Sequence, residues 1–284
     1  NSLPKSLLIF SLTSAFICLL FSFGFLDAFT YWSKGRAYIF FENPNSSSSR
    51  FCLAFLAIIY IVFENPLKWK KKRYILLSLL LPILYAIMAS GSRGSFLILL
   101  GAILLYTIIF RNLNHLKKLG IVLGLFSAMI FSILIIAQKN TDFSIIQRLK
   151  TASERGDIGR TKLIEDTKSI SNDYPIFGAG AVVYREEMKR RFNESRVVHN
   201  LYWYVVVTTG CTGAFFFLWF ISGLSITSFR AIKKEPFSFV ILVTALTLSS
   251  KTGGILGFIT LWYMFSISVY LANKNENYYY LKSK

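Results

Sequence analysis

The chain has 284 residues, of which 54% are hydrophobic and only 16% charged, with a net charge of +18. That balance excludes an ordinary soluble domain, and hydrophobic runs recur along nearly the whole length. The chain therefore reads as an all-α, polytopic membrane protein, whose positive charge is informative through its placement in loops.

On the length rule of roughly 17–25 residues per span, about eight membrane segments are expected. They lie near residues 6–26, 46–63, 74–90, 95–110, 120–138, 201–228, 236–250 and 255–272. The seventh is short enough to be re-entrant instead. KWKKKR (Lys68 to Arg73), Arg111 with Lys117 and Lys118, and RAIKK (Arg230 to Lys234) fall in alternate loops. Lys5 and the tail lysines Lys274, Lys282 and Lys284 join them on the side expected to be cytoplasmic. Residues 27–45, the 90–95 turn, residues 139–200 and the 251–254 turn then face outward. The expected organisation is helices over 1–138, an outer loop domain over 139–200, and helices with a cytoplasmic tail over 201–284.

The outer segment 139–200 carries 12 Lys/Arg and 9 of the chain's 14 Asp/Glu. Long loops are translocated despite positive charge, so the topology stands. Leu163, Ile164, Thr167 and Ile170 recur at the spacing of one helical face, and Asn172, Asp173 and Pro175 stop the helix. Short amphipathic helices at the outer membrane face are expected there.

SGSRGSFL places Arg93 between two hydrocarbon runs, on the side that basic residues usually avoid. One reading is a snorkelling interfacial arginine. The other is an anion ligand: Gly91 and Gly94 bend the backbone, Ser90, Ser92 and Ser95 supply hydroxyls, and a guanidinium fork suits phosphate. His199 and Asn200 open the sixth span, followed by Tyr202 and Trp203, and Asn200 is a candidate substrate-binding residue. His199 reads either as an interfacial anchor or as a general base, since imidazole titrates near neutral pH. Gly210 and Gly213 below it suggest a kink or a close helix approach. The second histidine, His115, sits in a cytoplasmic basic loop and reads as solvated.

Arg160 lies on the outer-loop helix, ahead of DYPIFGAGAVVY, whose FGAG marks a close backbone approach. No βαβ pattern surrounds it, which argues against a dinucleotide site. In Asn43-Pro44-Asn45 a turn leads into a helix capped by Asn45 or Ser46. Cys18, Cys52 and Cys211 all fall in apolar runs without C-x-x-C spacing, so neither disulfides nor zinc are indicated. No carboxylate cluster suggests a metal, and no cofactor or nucleic acid is called for. The assumed topology brings Arg93, Arg160 and His199 to one face, where two cations and a base suit a lipid-linked phosphate.

NPN before a span, SGSRGSFL between two spans, GR…DYPIFGAG in an outer loop and HNLYWYVVVTTGCTG opening the next span together resemble the O-antigen ligase and polymerase superfamily. The motifs cover residues 43–213. The resemblance implies a metal-independent, inverting glycosyltransferase of the GT-C type in the bacterial inner membrane, working at the periplasmic face. Its donor would be a glycan on undecaprenyl diphosphate, and its acceptor a glycolipid or another lipid-linked repeat unit. Arg93 and Arg160 match the arginines thought to hold the diphosphate, and His199 matches the base that deprotonates the acceptor hydroxyl. Members commonly have ten to twelve membrane helices, so helices before Asn1 are expected. The motifs leave polymerase and ligase open, while richness in Phe, Tyr, Lys and Asn inclines the reading toward a polymerase. A lipid-linked glycan flippase is the alternative of another class, although the charge gathers on one face and no internal repeat is visible.

Overall fold

The computed structural model describes residues 2–33, 36–64, 73–109, 120, 124, 127, 158–251 and 259–274. Arg111, His115, Lys117, Lys118, Lys282 and Lys284 lie outside the described residues, as do most of the KWKKKR loop, the 120–138 span and the 251–254 turn. The chain forms two compact units, residues 1–150 and 151–284.

In the first unit, α1 (Ser2–Ser22) leads through a 3-10 turn (Asp27–Phe29) into a β-hairpin, β1 (Thr30–Ser33) and β2 (Arg36–Ile39). Next come α2 (Pro44–Phe63), α3 (Arg73–Ser78), α4 (Leu80–Ala89) and α5 (Arg93–Ile109). The hairpin corrects the all-α expectation. Thr30 pairs with Ile39 and Trp32 with Ala37, and the Tyr31 and Tyr38 rings stack across the strands at 4.3 Å between centroids. Cross-strand aromatic pairs of this kind stabilise a short ribbon.

Helix α2 is the axis of this unit. It is buried from Phe51 to Val62 on every face and packs against α1, α4 and α5. A helix apolar all round must be surrounded in this way. Its cap differs from the sequence expectation. Asn43, rather than Asn45 or Ser46, is the N-cap: its side chain accepts from the Asn45 N–H, and Pro44 takes the first helical position. Proline fits there because its missing N–H would have had no intrahelical partner.

The second unit contains α6 (Ile158–Asp173), α7 (Gly180–Phe192), α8 (Leu201–Ala231), α9 (Pro236–Ser249) and α10 (Ile259–Asn273). Helix α6 ends at Asp173, where Asn172, Asp173 and Pro175 placed the stop. Asn193 closes α7 in the left-handed region at φ 51°, a conformation asparagine tolerates. Leu163, Ile170, Tyr184, Met188, Val198, Tyr204 and Val207 form one buried cluster from α6, α7 and the start of α8. Deeper in the unit, α8, α9 and α10 pack together around hydroxyls. Ser228 Oγ meets Ser268 Oγ at 2.7 Å, and Ser238 and Ser268 exchange hydroxyl-to-carbonyl bonds at 2.8 and 3.0 Å. Small hydroxylic residues let apolar helices approach closely and join them where water is absent.

Among the described residues, three helices are long and apolar enough to cross a membrane: Ser2–Ser22, Pro44–Phe63 and Leu201–Ala231. Shorter apolar helices cover Tyr74–Ala89, Arg93–Ile109, Pro236–Ser249 and Ile259–Asn273. Helix α8 is not straight. Gly210 has φ 65° and ψ −166°, outside the helical region. On a straight helix Tyr202 and Phe217 would be about 22 Å apart along the axis, yet their ring centroids are 6.3 Å apart. The arm 201–209 therefore folds back toward the arm that follows, and residues 211–231 alone have the length of a span.

The break at Gly210 leaves helical N–H and C=O groups without their usual partners, and the loop after α6 supplies new ones. Cys211 N–H donates to the Pro175 carbonyl at 2.8 Å, Thr212 N–H to the Ile176 carbonyl at 3.2 Å, and Ala179 N–H to the Val207 carbonyl at 2.8 Å. Only glycine permits the approach. A Cβ at Gly178 would stand 2.4 Å from the Thr208 carbonyl carbon, and one at Gly210 would stand 2.3 Å from the Ile176 oxygen. Both residues also have positive φ. Gly178→Ala and Gly210→Ala are each expected to cost at least about 1–3 kcal/mol from backbone strain alone. A lower melting temperature of the detergent-solubilised protein in each variant checks this, with Gly223→Ala, whose Cβ would meet nothing within 4 Å, as the control.

Candidate functional site

The arginine turn in the first unit is built from helix-end chemistry. Ser90 is the C-cap of α4, and Gly91 follows at φ 61° with its N–H on the Met88 carbonyl at 2.9 Å. A glycine in this conformation is the usual helix stop. Ser92 immediately precedes α5, its carbonyl accepting the Phe96 N–H at 3.1 Å. Arg93 is thus the first residue of α5, half-buried, in a first turn that holds no acidic residue.

Ser90, Ser92 and Ser95 are buried, and their hydroxyls bond within the protein. Ser90 Oγ donates to the Ile87 carbonyl at 2.6 Å. Ser92 Oγ meets Ser95 Oγ at 3.0 Å, and Ser48 Oγ of α2 donates to Ser95 Oγ at 2.7 Å. Cys52 Sγ adds a contact to the Ser95 carbonyl at 3.4 Å. These bonds tie the start of α5 to α2. Arg36 of β2 completes the arrangement, donating through Nε to the Ser90 carbonyl at 3.0 Å and through Nη2 to Asn45 Oδ1 at 2.8 Å. The hairpin, the NPN motif and the SGSRG turn therefore meet at one end of this unit.

In the second unit Arg160 is half-buried on α6 and His199 is half-buried just before α8. Both belong to the frame built by the α6–α7 cluster. Asn200 is the N-cap of α8, its side chain accepting from the Trp203 N–H at 3.2 Å. The residue before His199 is also pinned: the Val198 N–H donates to Tyr184 Oη at 3.0 Å. Tyr184 Oη in turn meets Thr167 Oγ1 at 2.9 Å, and Thr167 Oγ1 bonds the Leu163 carbonyl at 2.6 Å. Burial pushes the Tyr184 phenol pKa up, more than the hydrogen bonds from Thr167 and Val198 pull it down. The group stays protonated, as a neutral bridge between α6 and the His199 segment. Tyr184 carried no signal as a supporting residue in the sequence, since its partners lie 14 and 17 positions away.

A second tie comes from charge. Arg190 donates to both oxygens of Glu187, at 2.8 Å each, while Arg191 bonds Glu187 and reaches Asp173 at the end of α6. Lys168 Nζ sits 5.1 Å from the centre of the Trp203 ring, joining α6 to α8 by a cation–π contact.

Apolar helices of spanning length mark a membrane protein. Within that class the particular assignment comes from sequence comparison: the family model for O-antigen ligase matches residues 75–218, half of the chain. The chain belongs to the O-antigen ligase family. No curated protein matched the chain in a sequence search. The matched segment contains Arg93, Arg160 and His199.

Two outcomes follow from the geometry. Tyr184→Phe strands the buried Val198 N–H, and an unsatisfied buried donor costs about 1–3 kcal/mol. A lower melting temperature and faster amide exchange at Val198 are expected. Glu194 is held down to about 2 by the side-chain bonds of Arg196 and then by the Arg196 backbone N–H. A lowered carboxylate pKa gives stability that is complete above the unfolded value of about 4.3 and is lost as pH falls through the folded one. Protection of the Arg196 amide, corrected for intrinsic exchange, is therefore expected to fall between about pH 4 and 2.

Proposed function

We propose that this protein transfers a glycan from undecaprenyl diphosphate to an acceptor hydroxyl at the outer face of the bacterial inner membrane. The observation that carries the reading is the family match, because it spans both arginines and the histidine. In the proposed step the acceptor oxygen attacks the anomeric carbon, and the bond from that carbon to the diphosphate oxygen breaks with inversion. His199 takes the acceptor proton, and undecaprenyl diphosphate leaves. A sugar hydroxyl is a weak nucleophile, and the diphosphate gathers negative charge as it departs, so a base and fixed cations are the two needs.

Arg93 and Arg160 are the proposed cations, in place of a metal. The position of Arg93 supports this role. A helix N-terminus carries partial positive charge, so a cation in the first turn is electrostatically at the wrong end. The same pairing becomes favourable when an anionic oxygen binds there, where helix end and guanidinium act together. Ser90, Ser92 and Ser95 take part by fixing the turn that presents Arg93, and Asn200 by capping the helix that follows His199. The joint action of Arg93 with Arg160 and His199 belongs to the proposal.

The polymerase reaction, with a second lipid-linked repeat unit as acceptor, is the first reading. Ligation to lipid A-core is the second, favoured by the description of the matched family as O-antigen ligase. In membranes holding the polyprenyl-diphosphate donor, His199→Ala and Arg93→Lys are expected to lower glycan transfer by at least roughly a hundredfold. Arg160→Gln is expected to weaken it less, with all variants inserted to the wild-type level. A ladder of chain lengths from repeat units alone identifies a polymerase, and product only on addition of lipid A-core identifies a ligase. Full activity in both the His199 and Arg93 variants would sink the assignment of these residues.

A further inference from the structure

The hairpin between α1 and α2 places a charged side chain where neither chain-local folding nor membrane insertion asks for one. Arg36 lies on β2, half-buried, and its guanidinium is divided between two other segments. Nε–H points at the carbonyl of Ser90 at 3.0 Å, and Nη2–H at the side-chain oxygen of Asn45 at 2.8 Å. Ser90 is the last residue of α4 before the turn, so its carbonyl is among those that a helix leaves without an internal partner. A cation there also complements the negative end of α4.

Asn45 is held in its turn. Its N–H donates to Asn43 Oδ1 at 2.9 Å, and its carbonyl accepts from the Ser49 hydroxyl at 2.8 Å, with Ser48 Oγ 3.1 Å away. The same Ser48 donates to Ser95, on the far side of the arginine turn. The first turn of α2 thus grips residues 90–95 at both ends: through Arg36 at Ser90, and through Ser48 at Ser95. Arg93 lies between the two grips.

We propose that Arg36 is a positioning residue for Arg93, fixing the turn so that the Arg93 guanidinium meets the substrate phosphate in the productive orientation. This rests on the proposed function, in which Arg93 holds the diphosphate. The fork of the guanidinium is what the role requires. A planar group with fixed N–H directions reaches a carbonyl and an amide oxygen at once, whereas the lysine ammonium is a point charge on a flexible stem. A displacement of about 1 Å at a charge-stabilising group costs on the order of a hundredfold in rate.

The test is a double-mutant cycle on the full chain in membranes, with polyprenyl-diphosphate-linked repeat unit extracted from the source cells as donor. Arg36→Gln alone is expected to lower the transfer rate at saturating donor by roughly tenfold to a hundredfold. In an Arg93→Lys background the same change is expected to cost less than about threefold, because its route of action is already gone. Arg36→Lys is expected not to rescue, and Asn45→Ala, which removes one of the two anchors, is expected to show the same coupling at smaller size. If Arg36→Gln does not insert, Arg36→Lys and Asn45→Ala carry the cycle. Equal losses in both backgrounds, or full activity in the Arg36 and Asn45 variants, would overturn the positioning role. Wild-type activity of Arg93→Lys would instead overturn the proposed function on which it rests.

Discussion

Where residues 211–231 begin, the helical ladder is interrupted, and the backbone groups released by the break need partners close to lipid. Hydrocarbon offers none, so an irregular backbone at membrane depth persists only where protein satisfies it. Here the satisfaction comes from the loop at 175–179, through three bonds between main-chain groups. The contact requires two glycines facing one another, Gly178 and Gly210, because a Cβ on either would overlap the opposite backbone. Much of the second unit hangs on this contact. It orients the arm 201–209, whose cap is Asn200 and whose flank carries His199, against α6 and α7.

The same economy of polar groups shapes the first unit. Buried serines on α2 return their hydroxyls to carbonyls in their own turn or pass them to Ser95, and Arg36 takes the carbonyl at the end of α4. These bonds match the polar groups around the arginine turn to one another, which makes the turn rigid. Rigidity matters because electrostatic stabilisation of a leaving diphosphate depends on donors that are already in place. In both units, therefore, the residues proposed to meet substrate stand on segments fixed by bonds from elsewhere. In the second unit, ion pairs among Asp173, Glu187 and Arg191 reinforce the frame without touching the proposed chemistry.

Membrane character and most helix positions were legible from the sequence, since each rests on local pattern. Apolar runs of spanning length, glycine after a helix and asparagine before one state their meaning within a few residues. The hairpin was also within reach, because TYWS and RAYI are rich in the residues that strands favour. Residues 27–45 read instead as an outward-facing loop, because each strand is only four residues long and shows little alternation. The serines of the arginine turn show the opposite limit. Their composition suggested hydroxyls offered outward, while the structure shows them buried and bonded inward.

What the sequence determined by itself is the membrane character of this protein, the positions of most of its helices and the residue types available for handling an anion. These follow from composition and spacing, which act along the chain. Gly210 and FGAG marked a kink and a close approach in advance, but only the tertiary structure decided that α8 folds back, that Gly178 meets Gly210, that Tyr184 holds the segment before His199 and that Arg36 grips the turn carrying Arg93. Each of those depends on a contact between residues far apart in sequence, up to 54 positions for Arg36 and Ser90. No local rule anticipates such a partner, because either residue would satisfy its own neighbourhood in many folds and finds this one only when the helices have packed.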